Sequence, residues 1–244
     1  SLNDNGLSWL EVTTRCNLAC KGCYRDPKKE GHKSLDEVAH DLATFKRLRK
    51  SDSMSIAGGD PLVHPQIVDI VRMIKEGGWK PILNTNGVAL TMPLLMQLKN
   101  AGVFGFTFHI DTTQVRPDSQ GISEKDHNHL REKLARMLQE VGGITCSFNQ
   151  TVSAKTLPQV ADVYEWARRY PDIVHSVVFI LYRAPSMIPG LDFYANGQKV
   201  DMGQPYWDTV EWSGTEILKA QQVVDLLKSI DPHFCNNSRF HSPI

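Results

Sequence analysis

The run Ser8-Trp9-Leu10-Glu11-Val12-Thr13 leads directly into Thr14-Arg15-Cys16-Asn17-Leu18-Ala19-Cys20-Lys21-Gly22-Cys23-Tyr24. The first part, rich in aromatic and β-branched residues, predicts a strand. The second places three of the five cysteines within eight residues, in the spacing C-x3-C-x2-C. An odd cysteine count and such tight clustering do not suit a secreted disulfide framework; reduced thiols with a metal-binding task fit better. Three thiolates on one short loop can each ligate one iron of a cubane cluster, leaving the fourth iron free to bind another molecule. A Cys₃His zinc site recruiting His32 is an alternative, although structural zinc sites usually draw ligands from two separated knuckles. A redox pair Cys20-x-x-Cys23 is another, but it gives Cys16 no task. Inert buried cysteines would leave the spacing unexplained.

Five further strands are predicted downstream: Ser53–Ala57, Lys80–Asn84, Val103–Ile110, Ile144–Val152 and His175–Tyr182. Helical patterns separate them. Ser34 and Glu37 make a capping box, after which Leu35, Val38, Leu42, Phe45 and Leu48 recur at spacings of three and four. Ile67, Ile70, Val71 and Ile74 precede a Gly77-Gly78 stop, and Leu94, Leu95 and Leu98 precede Gly102. Later helices are predicted over Lys125–Val141, Leu157–Arg169 and Thr215–Ile230. This alternation specifies an α/β fold with right-handed crossovers, and six βα units suit a partial (β/α)6 barrel of parallel strands with a C-terminal helical extension. Ligands of such folds sit at the carboxyl ends of the strands.

Residues 1–184 are read as the barrel core, and 185–244 as a lid loop and helical extension of the same domain. The connection Ala184–Gly214 has little regular pattern and is rich in apolar groups: Met187, Ile188, Leu191, Phe193, Tyr194, Tyr206 and Trp207, with Trp212 close by in the same segment. It reads either as a solvent-excluding lid or as ordinary packing against the barrel or an interface with another chain. With 27 basic and 27 acidic residues there is no global field to attract nucleic acid. No apolar run is long enough to span a membrane and no secretion signal is seen, which predicts a cytoplasmic protein. Starting at Ser1 and ending in a polar tail after Asp231-Pro232, the chain reads as trimmed from a longer protein.

The cysteine segment, with the aromatic Tyr24 directly after its last cysteine, resembles the signature of the radical S-adenosylmethionine (SAM) superfamily. The resemblance implies a [4Fe–4S] cluster on Cys16, Cys20 and Cys23, with the amino and carboxylate groups of SAM on the unique iron. It further implies reductive cleavage to a 5′-deoxyadenosyl radical that takes hydrogen from a substrate. Other segments extend it over Leu7 to Ala184. Gly58-Gly59-Asp60-Pro61 resembles the family's GGEP turn, whose backbone binds the SAM ammonium, with Asp60 in place of the commoner Glu. Asn84-Thr85-Asn86-Gly87 is similar to its TNG turn, and Asn149-Gln150-Thr151-Val152 to its Asn-x-Thr-Val strand; Asn84, Asn86, Asn149 and Thr151 are thereby implied to line the SAM pocket. Asp111 stands near a position that approaches the ribose or substrate, although Asp-Thr-Thr replaces the frequent Asp-Gly.

His109, Arg116 and Arg183 are candidate substrate contacts, Arg183 as a carboxylate or phosphate clamp, with a solvated surface arginine as the alternative; for His109 a core imidazole is the alternative. Cys146 is read as a small buried hydrophobe or a hydrogen-atom donor, and Cys235 as structural. His127 and His129 are read as solvated helix-face residues. An external flavodoxin- or ferredoxin-like electron donor is implied, together with an unidentified substrate that is lipid-like or another hydrophobic small molecule. A peptide or protein substrate is the alternative, and a non-catalytic metal- or SAM-binding barrel a third reading.

Overall fold

The computed structural model describes residues 6–20, 23, 31–119, 123–182, 192–200 and 218–234. Six strands, β1 (Leu7–Thr13), β2 (Ser53–Gly58), β3 (Lys80–Thr85), β4 (Gly105–His109), β5 (Thr145–Val152) and β6 (Ser176–Leu181), form one sheet in chain order, every neighbouring pair parallel. The connections carry α1 (Leu35–Leu48), α2 (Ile67–Glu76), α3 (Met92–Asn100), α4 (Asn128–Val141) and α5 (Val160–Arg169). Sequential parallel order puts every crossover on the same side of the sheet. The fold is therefore a six-stranded partial barrel, as the alternating pattern predicts.

One sheet face meets the helices. Leu10, Val12, Met54, Ile56, Leu83, Phe106, Phe108 and Phe148 pack there against Val38, Ile70, Ile74, Leu95, Leu134 and Leu138 in one core. Burying such side chains stabilises by about 1.5–3 kcal/mol each. The alternate residues face the concave side, where Trp9, Val178 and Ile180 remain exposed. The Ser34–Glu37 box starts α1 as predicted: Glu37 N donates to Ser34 Oγ at 3.2 Å and Ser34 N to Glu37 Oε2 at 2.7 Å.

Some elements differ from the sequence reading. The predicted helix Leu157–Arg169 begins as a 3₁₀ turn, Leu157–Gln159, containing Pro158. A helix α6 occupies Ala220–Ile230, and the rest of the predicted Thr215–Ile230 span reaches outside the described residues. Within the supposedly irregular connection lies a hairpin, β7 (Phe193–Ala195) and β8 (Gln198–Val200). Its turn residues Asn196 and Gly197 both have positive φ, 52° and 76°, as a two-residue type I′ turn requires. The other apolar residues of that connection named above lie outside the described residues. His127 is buried, not solvated, with Nδ1 2.8 Å from Ser123 O, whereas His129 is exposed. Cys146 is buried in the core, and burial pushes its thiol up to about 12. Cys235 lies outside the described residues.

Candidate active site

The loop after β1 is tied at its stem. Thr14 N donates to Gly31 O at 3.0 Å and Lys33 N to Val12 O at 2.9 Å. Thr13 Oγ1 accepts from Arg15 N at 3.0 Å and lies 2.9 Å from His32 Nδ1. The loop rests on the turn after β2, where Gly59 N donates to Thr13 O and Asp60 N to Arg15 O, both at 2.8 Å. Contact is backbone on backbone: a Cβ on Gly59 would stand 1.9 Å from Arg15 O, and one on Gly58 2.0 Å from Thr13 O, with Gly58 at φ +121°. Only glycine fits there.

Asp60 does not reach outward. It is 1 % exposed, and its carboxylate accepts from Thr85 Oγ1 at 2.8 Å, Asn86 N at 2.7 Å and Leu62 N at 2.9 Å. Burial raises its pKa against those hydrogen bonds. The carboxylate thus fastens the β2 turn to the β3 turn, and any ligand contact made by Gly58–Pro61 falls to the backbone. Asn86, held beside it, donates Nδ2 to Asn17 Oδ1 at 2.7 Å and toward Cys16 Sγ at 3.8 Å. Leu18 N also points at Cys16 Sγ, at 3.4 Å.

Cys16, Cys20 and Cys23 form no disulfide among the described residues, and each is partly buried. Burial foremost, then the neighbouring Cys23, Cys16 and Asp111, push the Cys20 thiol up to about 12, with Arg116 opposing. A thiol that resists ionisation as Cys20 does becomes a thiolate ligand only beside a cationic centre, which is what a metal supplies. Among the described residues no three His, Cys, Asp or Glu side chains converge on one ion-sized point. His32, the alternative zinc ligand, is instead bonded to Thr13 and packed edge-on against His64, ring centroids 4.9 Å apart. Three spread thiols above a glycine shelf fit a multi-iron cluster better than a single zinc ion. Tyr24 lies outside the described residues.

The ends of β4 and β5 supply a second group. His109 Nε2 lies 2.6 Å from Asp111 Oδ2 and 3.1 Å from Thr151 Oγ1. Asp111 is fully buried and also accepts from Thr151 N at 2.8 Å and from the backbone N–H and hydroxyl of Thr113. Burial opposes both charges, yet their attraction prevails: His109 is raised above 6.5 and Asp111 is held well below the usual carboxylate range. Asp111 orients His109 instead of reaching a ligand itself, while His109 keeps 34 % of its side chain accessible. Asn149 is the register partner of His109, and Asn84 that of Thr107, so both asparagines share its concave face.

Arg116 is not available as a substrate clamp. Its side chain is 0 % exposed, with Nε and Nη2 bonded to Asp118, Nη1 to Gln114 Oε1 at 2.8 Å and Nη2 to Asn86 O at 2.9 Å. Arg183 lies outside the described residues. The sequence reading passed over Thr85 and Asn17, and also the fully buried Arg131–Glu124 pair. That pair ties α4 to the β4 loop through Ile110 O, 2.6 Å from Arg131 Nη2, and Thr112 N, 2.8 Å from Glu124 Oε1. An arginine beside Leu130 and Leu134 on an otherwise apolar helix face was the available signal.

A partial parallel barrel with three thiols on the loop that follows its first strand suits a protein built around a metal–sulfur cofactor. The family model of the Radical SAM superfamily matches residues 10–167, and the chain belongs to that superfamily of enzymes, whose cofactors are a [4Fe–4S] cluster and SAM. It is 25 % identical over 186 residues to an AdoMet-dependent heme synthase of Methanosarcina barkeri, covering 72 % of this chain and 50 % of that one. It is 31 % identical over 169 residues to the tungsten-containing aldehyde ferredoxin oxidoreductase cofactor-modifying protein of Pyrococcus furiosus, covering 63 % and 46 %. The chain thus spans about half the length of these curated relatives. In fold it is similar to Streptococcus suis SuiB bound to its precursor peptide SuiA (TM-score 0.58, 15 % identity, 74 % of this chain and 40 % of that one). It is also similar to anSMEcpe with bound AdoMet (TM-score 0.56, 17 % identity, 75 % and 52 %). No helix among the described residues is long and apolar enough to cross a membrane.

Proposed function

We propose that Cys16, Cys20 and Cys23 hold the [4Fe–4S] cluster and that the backbone of Gly58–Pro61, with Asn84, Asn86, Asn149 and Thr151, forms the SAM pocket beside it. When bound, these groups supply a one-electron cleavage of the sulfonium C–S bond and a 5′-deoxyadenosyl radical that takes a hydrogen atom from substrate. The chain's own residues hold and orient. Thr13, Gly58 and Gly59 fix the stem of the cysteine loop, and Asp60 locks the β2 and β3 turns together. Asp111 steadies the His109 ring at the mouth, where the accessible imidazole faces the concave side as a substrate contact. Exposed Trp9, Val178 and Ile180 on the same side favour a substrate with an apolar part over a wholly polar one. An external flavodoxin- or ferredoxin-like protein supplies the electron. Residues 1–184 are the catalytic core, and 185–244 an extension of the same domain.

The observation that supports this reading is the docking of the stem of the cysteine loop, Thr13 to Arg15, on the Gly58–Gly59 shelf at the carboxyl ends of β1 and β2. The test is 5′-deoxyadenosine formation by anaerobically reconstituted protein with SAM and dithionite. The wild type is expected to form it and Cys20→Ala is not. Wild-type protein with a full iron load and bound SAM that forms none would sink the proposal in favour of a binding barrel without radical chemistry.

A further inference from the structure

Arg116 is a buried cation with no route to the concave face, and the function proposed above gives it no task. Its Nη2 donates to Asn86 O at 2.9 Å, while the amide side chain of Asn86 reaches Cys16 Sγ at 3.8 Å. Its charge is felt at Cys20 and at Asp60. Its counter-ion Asp118, 2.9 Å away, keeps 30 % of its side chain accessible, whereas the guanidinium keeps none. The negative partner is thus better screened by solvent than the positive one, so the pair as a whole contributes a positive field, which opposes that of the buried Asp111 at Cys20. N–H donors to cluster sulfurs, nearby charge and burial are the levers by which a protein sets an iron–sulfur potential. N–H donors meet Cys16, and the charge of Arg116 reaches Cys20 on the same loop.

We propose that Arg116 is a positioning residue that raises the reduction potential of the cluster, by its buried charge and by holding Asn86 against Cys16. The inference rests on Cys16, Cys20 and Cys23 carrying that cluster. Reduction adds one electron to the cluster and takes it from the external donor. The added negative charge is stabilised by a fixed cation and by N–H groups aimed at sulfur, so removing either makes the cluster harder to reduce.

The experiment is a redox titration of the reconstituted protein, followed by the EPR signal of the reduced cluster, on wild type, Arg116→Met, Arg116→Lys and Asp118→Asn. Arg116→Met is expected to disfavour reduction about tenfold, ~59 mV for a one-electron couple. Arg116→Lys should recover most of that shift, and Asp118→Asn, which strips the counter-charge, should move the potential upward. Equal potentials in all four loaded proteins would overturn the proposal. If Arg116→Met takes up no cluster, Asp118→Asn decides: an upward shift supports the proposal, and an unchanged or lower value overturns it. A wild type that binds no cluster under reconstitution would instead defeat the functional reading itself.

Discussion

Replacing Gly59 by Ala adds one methyl group, and the geometry says where it must go. Its Cβ would stand 1.9 Å from Arg15 O and 2.4 Å from Arg15 C, against about 3.4 Å for ordinary contact, so the two backbones must part by about 1.5 Å. Gly59 shows no positive φ, which leaves the contact as the cause. Either the backbones strain, at about 1–3 kcal/mol, or the bonds Gly59 N to Thr13 O and Asp60 N to Arg15 O are released, at about 1 kcal/mol each. Both routes give about 2 kcal/mol, or roughly 4–8 °C in Tm for a chain of this size. The damage falls on the stem of the cysteine loop, so iron retained after anaerobic reconstitution should drop well below the wild-type load. Gly78→Ala is the control, because it has positive φ but nothing within 4 Å of the added Cβ. It should lose about 1–2 kcal/mol from backbone strain alone and keep its iron. Wild-type iron content and Tm in Gly59→Ala would refute the shelf argument.

The His109–Asp111 pair predicts a pH window. Because the folded imidazole titrates above 6.5, its contribution is fully present below that value and fades as pH rises through the higher folded one. Asp111, depressed below 3.8, contributes above that value and fails only as pH falls through its lower folded pKa. Urea midpoints measured across pH should therefore decline on the alkaline side in wild type and flatten there in His109→Gln. Arg131→Met leaves Glu124 buried without its partner and should cost about 3–5 kcal/mol by urea unfolding, whereas Arg131→Met with Glu124→Gln should recover a large part of it.

The strand and helix pattern was legible because one face of each strand carries the core: Leu10, Val12, Ile56, Leu83, Phe106 and Phe148 advertise their elements by period and β-branching. The hairpin was missed although Asn196-Gly197 is a strong turn signal, because three-residue strands offer too little alternation to stand out. The cysteine loop and the glycine turn were readable as motifs, since both act through local spacing and backbone. What spacing does not carry is direction. Asp111 and Arg116 read as ligand-facing groups beyond a strand end, and Asp60 as part of a ligand-binding turn, yet each turns inward to partners up to 40 residues away, Thr85, Thr151 and Asn86 among them. A short polar side chain at a strand end is equally suited to lock the next turn or to meet a ligand, and only the tertiary contact decides which.

The anchors of the cysteine loop come from far down the chain: Gly59 after β2, Asn86 after β3 and Arg116 after β4. A growing chain therefore exposes Cys16 long before the surfaces that steady it exist, since Arg116 emerges 100 residues later, by the difference of the two positions. At about 5–20 residues per second of synthesis, that interval lasts roughly 5–20 s, during which three neighbouring thiols are open to oxidation and to stray metal. On the proposed function, iron loading is expected to follow emergence of the first three βα units and β4. Yield of the holo protein then depends on how well the cell shields a nascent thiol trio as much as on how much iron and sulfide it supplies.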